Sequence, residues 1–487
     1  MKLKKTKILI YFFLLLTVFF LSGCFDSAEI DDEVYPLFIG LDKGDENSLI
    51  MTVKYPVYTE NGDEISLESD EENDDGEGIS LGDRNIHSIE TSSILQGIDM
   101  LGMIISRQIS LKHVKGVVFS EELSKEGIRK YLSSFIKYSE TRQTMRVIVS
   151  KSSAKDFIIG YSTGIGESLS KSIELMKSQA KHTGYFAQTE LFQFYFNIIS
   201  PYSSAFTGYA YGKINNQEDD EGQSEGDDND DDNDDGDDDD DDVNDNDDDD
   251  DDDDNVNDDD DDDVDDDNDD DDKEGSYSES DDNQMFRPEV EFEPGEIPLK
   301  VGEQREFAGT AIFKKDKMVG TLNPDETKYF KMIRNEFKRG FLTFKDPTDS
   351  QKAIIIDARL GRPTNIDTSI DENRTLINIT LEIEGDLSSI QSRVNYEELK
   401  VLESLRKKMA KNISKNVLAV LTKVQKEYEA DIFGFGKKLA KHFRTIQEFE
   451  EFNWDENFKN AKITLNTNVH LRRTGLVIDS YHMDKGD

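Results

Sequence analysis

Two stretches of the chain carry regular apolar spacing, and a long run with almost no apolar residue lies between them. In the first, residues 37–42 are a short apolar run, 43–47 are turn-like, and Leu49, Met51, Val53 and Tyr55 alternate with their neighbours, which predicts a hairpin. Ile94, Ile98, Leu101 and Ile105 then recur at helical spacing, as do Ile128, Leu132, Phe135 and Ile136. Residues 114–119 and 145–149 read as strands, so this stretch mixes both element types.

The second stretch opens with another predicted hairpin, 309–313 and 318–321 around a turn at Lys315-Asp316. Asn323-Pro324-Asp325-Glu326 is a helix start: Asn323 can cap, Pro324 suits the first turn, and Glu326 stands three residues on. Ile377, Ile379, Leu381 and Ile383 alternate with Asn378, Thr380, Glu382 and Glu384, as in an antiparallel strand with one dry face. The strongest helix signal runs through Leu402, Leu405, Met409, Ile413, Val417, Val420, Val424 and Tyr428. At the α-helical rise that run would span roughly 40 Å. Gly434 and Gly436 suit its stop, and a shorter helix through Leu439, Phe443, Ile446 and Phe449 leads to Trp454. Ile463, Leu465, Thr467, Val469 and Leu471 alternate as a closing strand. The predicted class is α+β, with antiparallel sheets packed with helices in two to three domains. The last of these is one long helix against an antiparallel sheet.

Composition changes the picture in one place. The net charge of −49 suggests an acidic protein throughout, but residues 218–272 hold 40 Asp or Glu and no Lys or Arg. Outside them 66 acidic residues face 57 basic ones, an ordinary balance for folded domains. Such a tract buries nothing and repels itself, so 213–284 is expected to be a disordered Asp-rich insertion, with 68–77 a smaller loop of the same kind. Its carboxylates could hold divalent cations weakly, but no EF-hand glycine or terminal glutamate stands in register. No basic footprint for nucleic acid is present. The chain then divides into an N-terminal α+β domain, 24–212, and a C-terminal region, 285–487, itself divisible into 300–350 and 351–480.

At the N-terminus Lys2, Lys4, Lys5 and Lys7 precede an apolar run over 8–21 that ends in Leu21-Ser22-Gly23-Cys24. That is a signal peptide, 1–23, closed by a lipobox, and its apolar run is short of the ~20 residues a membrane span needs. Cys24 is expected to be the first mature residue and to carry a diacylglyceryl and an N-acyl lipid. Two or more chains make a stable anchor where one does not. Cys24 is also the sole cysteine, which excludes disulfides and thiolate metal clusters.

No enzyme signature is present. The six histidines, His87, His113, His182, His442, His470 and His482, stand in no motif with a nucleophile or carboxylate. His113, just before a strand, reads as a surface or structural residue. Gly164-Ile165-Gly166 fails as a phosphate fingerprint because Leu169 replaces the third glycine, and it reads as a loop between helices.

Several motifs together resemble one family, the C-subunit lipoproteins of bacterial spore germinant receptors, the Ger(x)C proteins. After the lipobox come Glu29-Ile30-Asp31 and the strand Phe38-Ile39-Gly40-Leu41-Asp42-Lys43-Gly44, with Phe25 where the family usually has Trp. The run from Lys112-His113 through Val117-Val118-Phe119 to Arg142 and Arg146 fits the same pattern, as do Gly309-Thr310-Ala311-Ile312-Phe313-Lys314 and Met318-Val319-Gly320. Most specific is Gln425-Lys426-Glu427-Tyr428-Glu429-Ala430-Asp431-Ile432-Phe433-Gly434-Phe435-Gly436, followed by Trp454, Phe458 and Leu471-Arg472-Arg473-Thr474-Gly475-Leu476. The acidic insertion is foreign to that pattern.

The resemblance implies a non-enzymatic receptor subunit acting in spore germination. It would be lipid-anchored on the outer leaflet of the spore inner membrane, beside a multi-spanning A subunit and a transporter-like B subunit. It supplies no catalytic or cofactor residue. The motif residues Asp431, Gly434, Gly436, Trp454, Arg472, Arg473 and Gly475 read as structural or interface positions. Asp431 would cap or bridge at the helix end, the glycines would allow a left-handed turn, Trp454 would pack in the core, and at most one of the two arginines would point inward. A free membrane-anchored lipoprotein binding a solute or cation outside the cell is the competing reading.

Overall fold

The computed structural model describes residues 11–13, 32–45, 47–56, 85–160, 169–212, 292–297, 299, 305–349, 351–371, 374–392, 394, 396 and 398–473. Cys24, Gly475, the loop at 164–166, the acidic loop at 68–77 and the Asp-rich insertion lie outside them, as does the side chain of Arg473.

The first half runs β1 (Glu33–Val34), β2 (Phe38–Lys43), β3 (Leu49–Lys54), β4 (Ile86–Thr91), α1 (Ile94–Ile105), β5 (Gln108–Ile109) and β6 (Gly116–Ser120). It continues α2 (Glu121–Glu126), α3 (Arg129–Lys137), β7 (Arg146–Ser150), α4 (Ala154–Ile159), α5 (Leu169–Thr183), β8 (Thr189–Glu190), α6 (Leu191–Ile199) and β9 (Phe206–Gly212). After the insertion come β10 (Arg305–Lys314), β11 (Lys317–Leu322), α7 (Pro324–Ile333), β12 (Gly340–Lys345), β13 (Ala353–Leu360), β14 (Asn365–Asp371) and β15 (Arg374–Ile390). The chain then forms α8 (Leu399–Thr422), a π-helical turn (Lys423–Tyr428), α9 (Phe435–Leu439), α10 (Ile446–Phe452), α11 (Trp454–Asn460) and β16 (Lys462–Arg473).

The architecture is α+β, two large sheets covered by helices, with β1 and β5 forming a separate two-stranded pair among the described residues. The first sheet has the order β11-β10-β9-β7-β6-β2-β3-β4, with β8 beside β7. It is mixed: β2, β6, β7 and β9 are parallel, because helical crossovers return the chain to the same edge. Their apolar runs are buried on both faces, under α1, α3 and α6 on one side and α4 and α5 on the other. The sheet does not stop at the insertion: β10, after it, pairs antiparallel with β9, before it, through Phe206↔Ile312 and Gly212↔Arg305. The hairpin expected at 309–321 is therefore the edge of the first sheet, and the folded halves form one compact unit.

In the second sheet β15 is the spine. Residues 376–386 pair along one edge with β16, while β14 and β13 take successive halves of the other. The alternation at Ile377, Ile379, Leu381 and Ile383 is real, with those side chains buried against α8. The β15–β16 pair is parallel, however, since α8 and the short helices after it carry the chain back across the sheet. Leu402, Leu405, Met409, Ile413, Val417 and Val420 form the buried face of α8, as their spacing predicts. From Lys423 the expected single helix widens into the π-helical turn, closed by Glu429 in a left-handed conformation. The shorter helix expected through Phe449 is broken, with Thr445 capping a new start through its bond from the Glu448 N–H.

Helix α7 lies between the two sheets. Its capping box is complete: the Glu326 N–H donates to Asn323 Oδ1 at 2.8 Å and the Asn323 N–H to Glu326 Oε2 at 2.9 Å. Lys331, on the face toward α5, is buried and donates from Nζ to the carbonyls of Ala180 and Phe186. Burial pushes its pKa down to about 8, with Lys181 adding repulsion and Glu336 opposing. The folded amine thus releases its proton at a lower pH than the unfolded one, and between about 8 and 10.5 the unfolded chain binds more protons. Stability relative to a Lys331→Met variant is expected to rise with pH across that window, measured by denaturant unfolding at each pH. A flat difference would remove the buried cation as its cause.

Candidate functional site

The residues with the most specific pattern converge on one place. Asp431 follows the π-helical turn, is fully buried, and points both carboxylate oxygens at the chain that comes after it. Oδ1 accepts from the N–H of Gly434 at 2.9 Å and of Phe435 at 3.1 Å. Oδ2 accepts from the N–H of Gly436 at 2.7 Å and from Trp454 Nε1 at 3.0 Å. Burial pushes the Asp431 carboxyl up, and these four donors oppose that shift.

The glycines are required by this loop for different reasons. Gly434 has φ +81°, where a side chain is strained. A Cβ on Gly436 would stand 2.4 Å from the Tyr202 carbonyl and 2.5 Å from Trp454 Nε1. Trp454 itself is buried against Phe458.

The same segment ties the two halves together. The Ser204 N–H donates to the Asp431 carbonyl at 2.8 Å, and Lys437 Nζ reaches Asn197 Oδ1 at 3.0 Å. Arg334 of the α7 C-cap donates to the Ile432 carbonyl at 2.8 Å and lies over the Phe206 ring. On the other side Tyr428 donates to the Thr321 carbonyl at 3.0 Å, and Glu429 bridges Lys314 at 2.7 Å and Lys459 at 2.8 Å. Gln425 donates from Nε2 to the carbonyls of Phe458 and Ala461, at 2.7 and 2.8 Å. The run 425–436 is thus a joint between the hairpin β10–β11, α7, α11 and the end of α6.

Two residues of the N-terminal motif that composition did not single out have similar work. Asp42 is buried at the end of β2 and caps α4, accepting from the N–H of Ala154 at 2.7 Å and of Lys155 at 2.9 Å. Desolvation raises its pKa against those bonds. Gly40 beside it leaves room for the Ile158 side chain. An Asp at a strand end, just before a turn, looks like any turn residue until the helix it caps is placed.

Arg472 lies apart from the joint. It is exposed on β16 and pairs with Glu384, while Leu471 beside it is buried. A surface cleft of about 650 Å³ there is lined by Glu382, Glu384, Arg406, Asn468, His470 and Arg472. Its two carboxylates are held: Glu382 takes bonds from Asn468 and His470, and Glu384 pairs with Arg472 and with Arg359 beside the cleft, while Arg406 donates to the Leu471 carbonyl. His113 is exposed and packs edge-on to the Tyr35 ring. Among the described residues no group of three or more His, Cys, Asp or Glu is placed to hold a metal ion, and no helix is long and apolar enough to cross a membrane.

Known families match the chain on both sides of the insertion. The family described as spore germination protein N-terminal domain matches residues 26–210, and the one described as spore germination B3/GerAC like, C-terminal, matches 308–475. The chain belongs to the Ger(x)C family. Ger(x)C relatives include spore germination protein YndF of Bacillus subtilis (strain 168), 28% identical over 35% of this chain and 42% of its own length. Spore germination protein GerQC of Bacillus cereus is 25% identical over 36% of this chain and 48% of its own length. These two matches therefore span less than half of each relative. Spore germination protein KC of Bacillus subtilis (strain 168) is 19% identical over 96% of both chains. The crystal structure of the GerBC protein aligns over 89% of this chain and 96% of its own, with a TM-score of 0.42 and 13% identity. Ger(x)C membership places the chain among spore germination proteins rather than enzymes.

Proposed function

We propose that this chain is a lipid-anchored subunit of a nutrient germinant receptor. It is tethered by diacylglyceryl and N-acyl chains on Cys24 to the outer leaflet of the spore inner membrane, beside a multi-spanning A subunit and a transporter-like B subunit. The observation that carries this reading is the family match on both sides of the insertion, 26–210 and 308–475. The lipobox Leu21-Ser22-Gly23-Cys24 adds the means of attachment. The chain performs no chemical step: it couples nutrient binding elsewhere in the complex to germination through protein contacts. In this reading Asp431 and Gly436 turn inward and join the two folded halves, and partner contact falls to the outer surface, where Lys426 and Glu427 are exposed.

Affinity purification of the chain from detergent-solubilised spore membranes tests this. Two integral membrane proteins of the receptor are expected to co-elute at constant ratio. Elution alone, with a thermal shift on adding nutrient or Ca²⁺, would instead identify a free solute- or cation-binding lipoprotein.

A further inference from the structure

The parallel strands of the first sheet begin at one edge, where Phe38 pairs with Gly116 and Gly116 with Arg146. β1 and β5 pair at that edge, and Lys112 there joins Glu33 of β1 to Glu140, just after α3. α1 ends at this edge, since Ser106 and Arg107 lead directly into β5. α6 starts there, the Leu191 and Phe192 N–H groups donating to the carbonyls of Met145 and Gln143. Sequence places Cys24 nine residues before Glu33, so a lipid on it can lie no more than about 30 Å from this edge.

Three apolar side chains stand open here: Met103 is 75% exposed, Ile104 62% and Phe192 59%. Arg107, Lys112 and Arg142, on the segments that meet at this end of the sheet, are exposed as well. The nearby carboxylates Glu33 and Glu140 are held by Lys112 and Glu190 by Arg146, while Asp99 is exposed one turn before Met103 on α1. The acidic residues that follow Cys24, Asp26, Glu29, Asp31 and Asp32, offset these cations, so net charge does not drive a contact. Apolar side chains accompanied by long basic ones are the arrangement that enters the boundary between headgroups and acyl chains, with the cations reaching back to phosphates. A tether this short keeps even a weak contact occupied, because the surface is always at high effective concentration.

We propose that the strand-start edge, through Met103, Ile104 and Phe192, rests in the lipid surface to which Cys24 is anchored, so that the domain has a fixed orientation on the membrane. This rests on the lipid-anchor reading of Cys24. The full lipidated chain carrying Met103→Cys or Phe192→Cys, labelled with a polarity-sensitive fluorophore, is reconstituted into phosphatidylcholine–phosphatidylglycerol vesicles containing doxyl-labelled lipid. Leu399→Cys, at a site 81% exposed on α8, is the reference. All three positions are open, so the substitutions leave the core intact. Quenching at 103 and 192 is expected to exceed that at 399 by about twofold or more. Vesicle-bound protein with equal quenching at all three sites would overturn the orientation and leave the anchor standing. Failure of the unlabelled chain to stay on vesicles would overturn the anchor and the orientation with it.

Discussion

Asp431→Ala is expected to destabilise the folded chain by about 3–5 kcal/mol, because it leaves buried donors without an acceptor, at roughly 1–3 kcal/mol each before any water enters. The N–H groups of Gly434, Phe435 and Gly436 and the indole of Trp454 all lose their partner at once. The loop they belong to also carries the contacts to Ser204 and Asn197, so the loss is expected to reach the seam with β9 and α6 as well. Asp431→Asn keeps the shape but turns an N–H₂ toward at least one of those donors, and is expected to recover only part of the loss. Gly436→Ala, which must displace the Tyr202 carbonyl or the Trp454 ring, is expected to mimic it in direction. Equilibrium unfolding in urea measures all three. A loss under about 1 kcal/mol for Asp431→Ala would mean that water already serves these donors.

The local elements were legible wherever one face of a segment is buried. The alternation at Ile377–Ile383 and the three-and-four spacing from Leu402 to Val420 are direct consequences of packing against each other, and the Asn323 capping box is a purely local device. The antiparallel sheet is there in β12, β13, β14 and β15, but β16 joins β15 in parallel, which the pattern could not show because side chains alternate identically in parallel and antiparallel pairs. Nor could the pattern show that β10 continues the first sheet across the 92 positions between Gly212 and Arg305, because pairing partners leave no periodic mark. The motif residues were recognisable as an ordered set, but their shared role was not. Asp431 is a helix-end carboxylate in sequence, and only the return of Trp454 from 23 residues on makes it the centre of a joint. Arg472 looked like part of the same set and instead pairs on the surface with Glu384.

Attachment to the membrane turns on Cys24. The apolar run before it is too short to span a bilayer, so retention at the membrane depends on the acyl chains that this thiol would carry. Cys24→Ala removes the attachment atom without touching any residue of either sheet, which makes its expected effect large and specific. Spores carrying the variant are expected to lose the protein from the inner-membrane fraction and to germinate slowly or not at all in nutrient, while germination by agents that bypass receptors stays normal. The decisive measurement is the membrane-retained fraction of the Cys24→Ala chain alongside nutrient germination of the same spores. Loss of both is the predicted result, and a variant that remains membrane-bound and germinates normally would contradict the account.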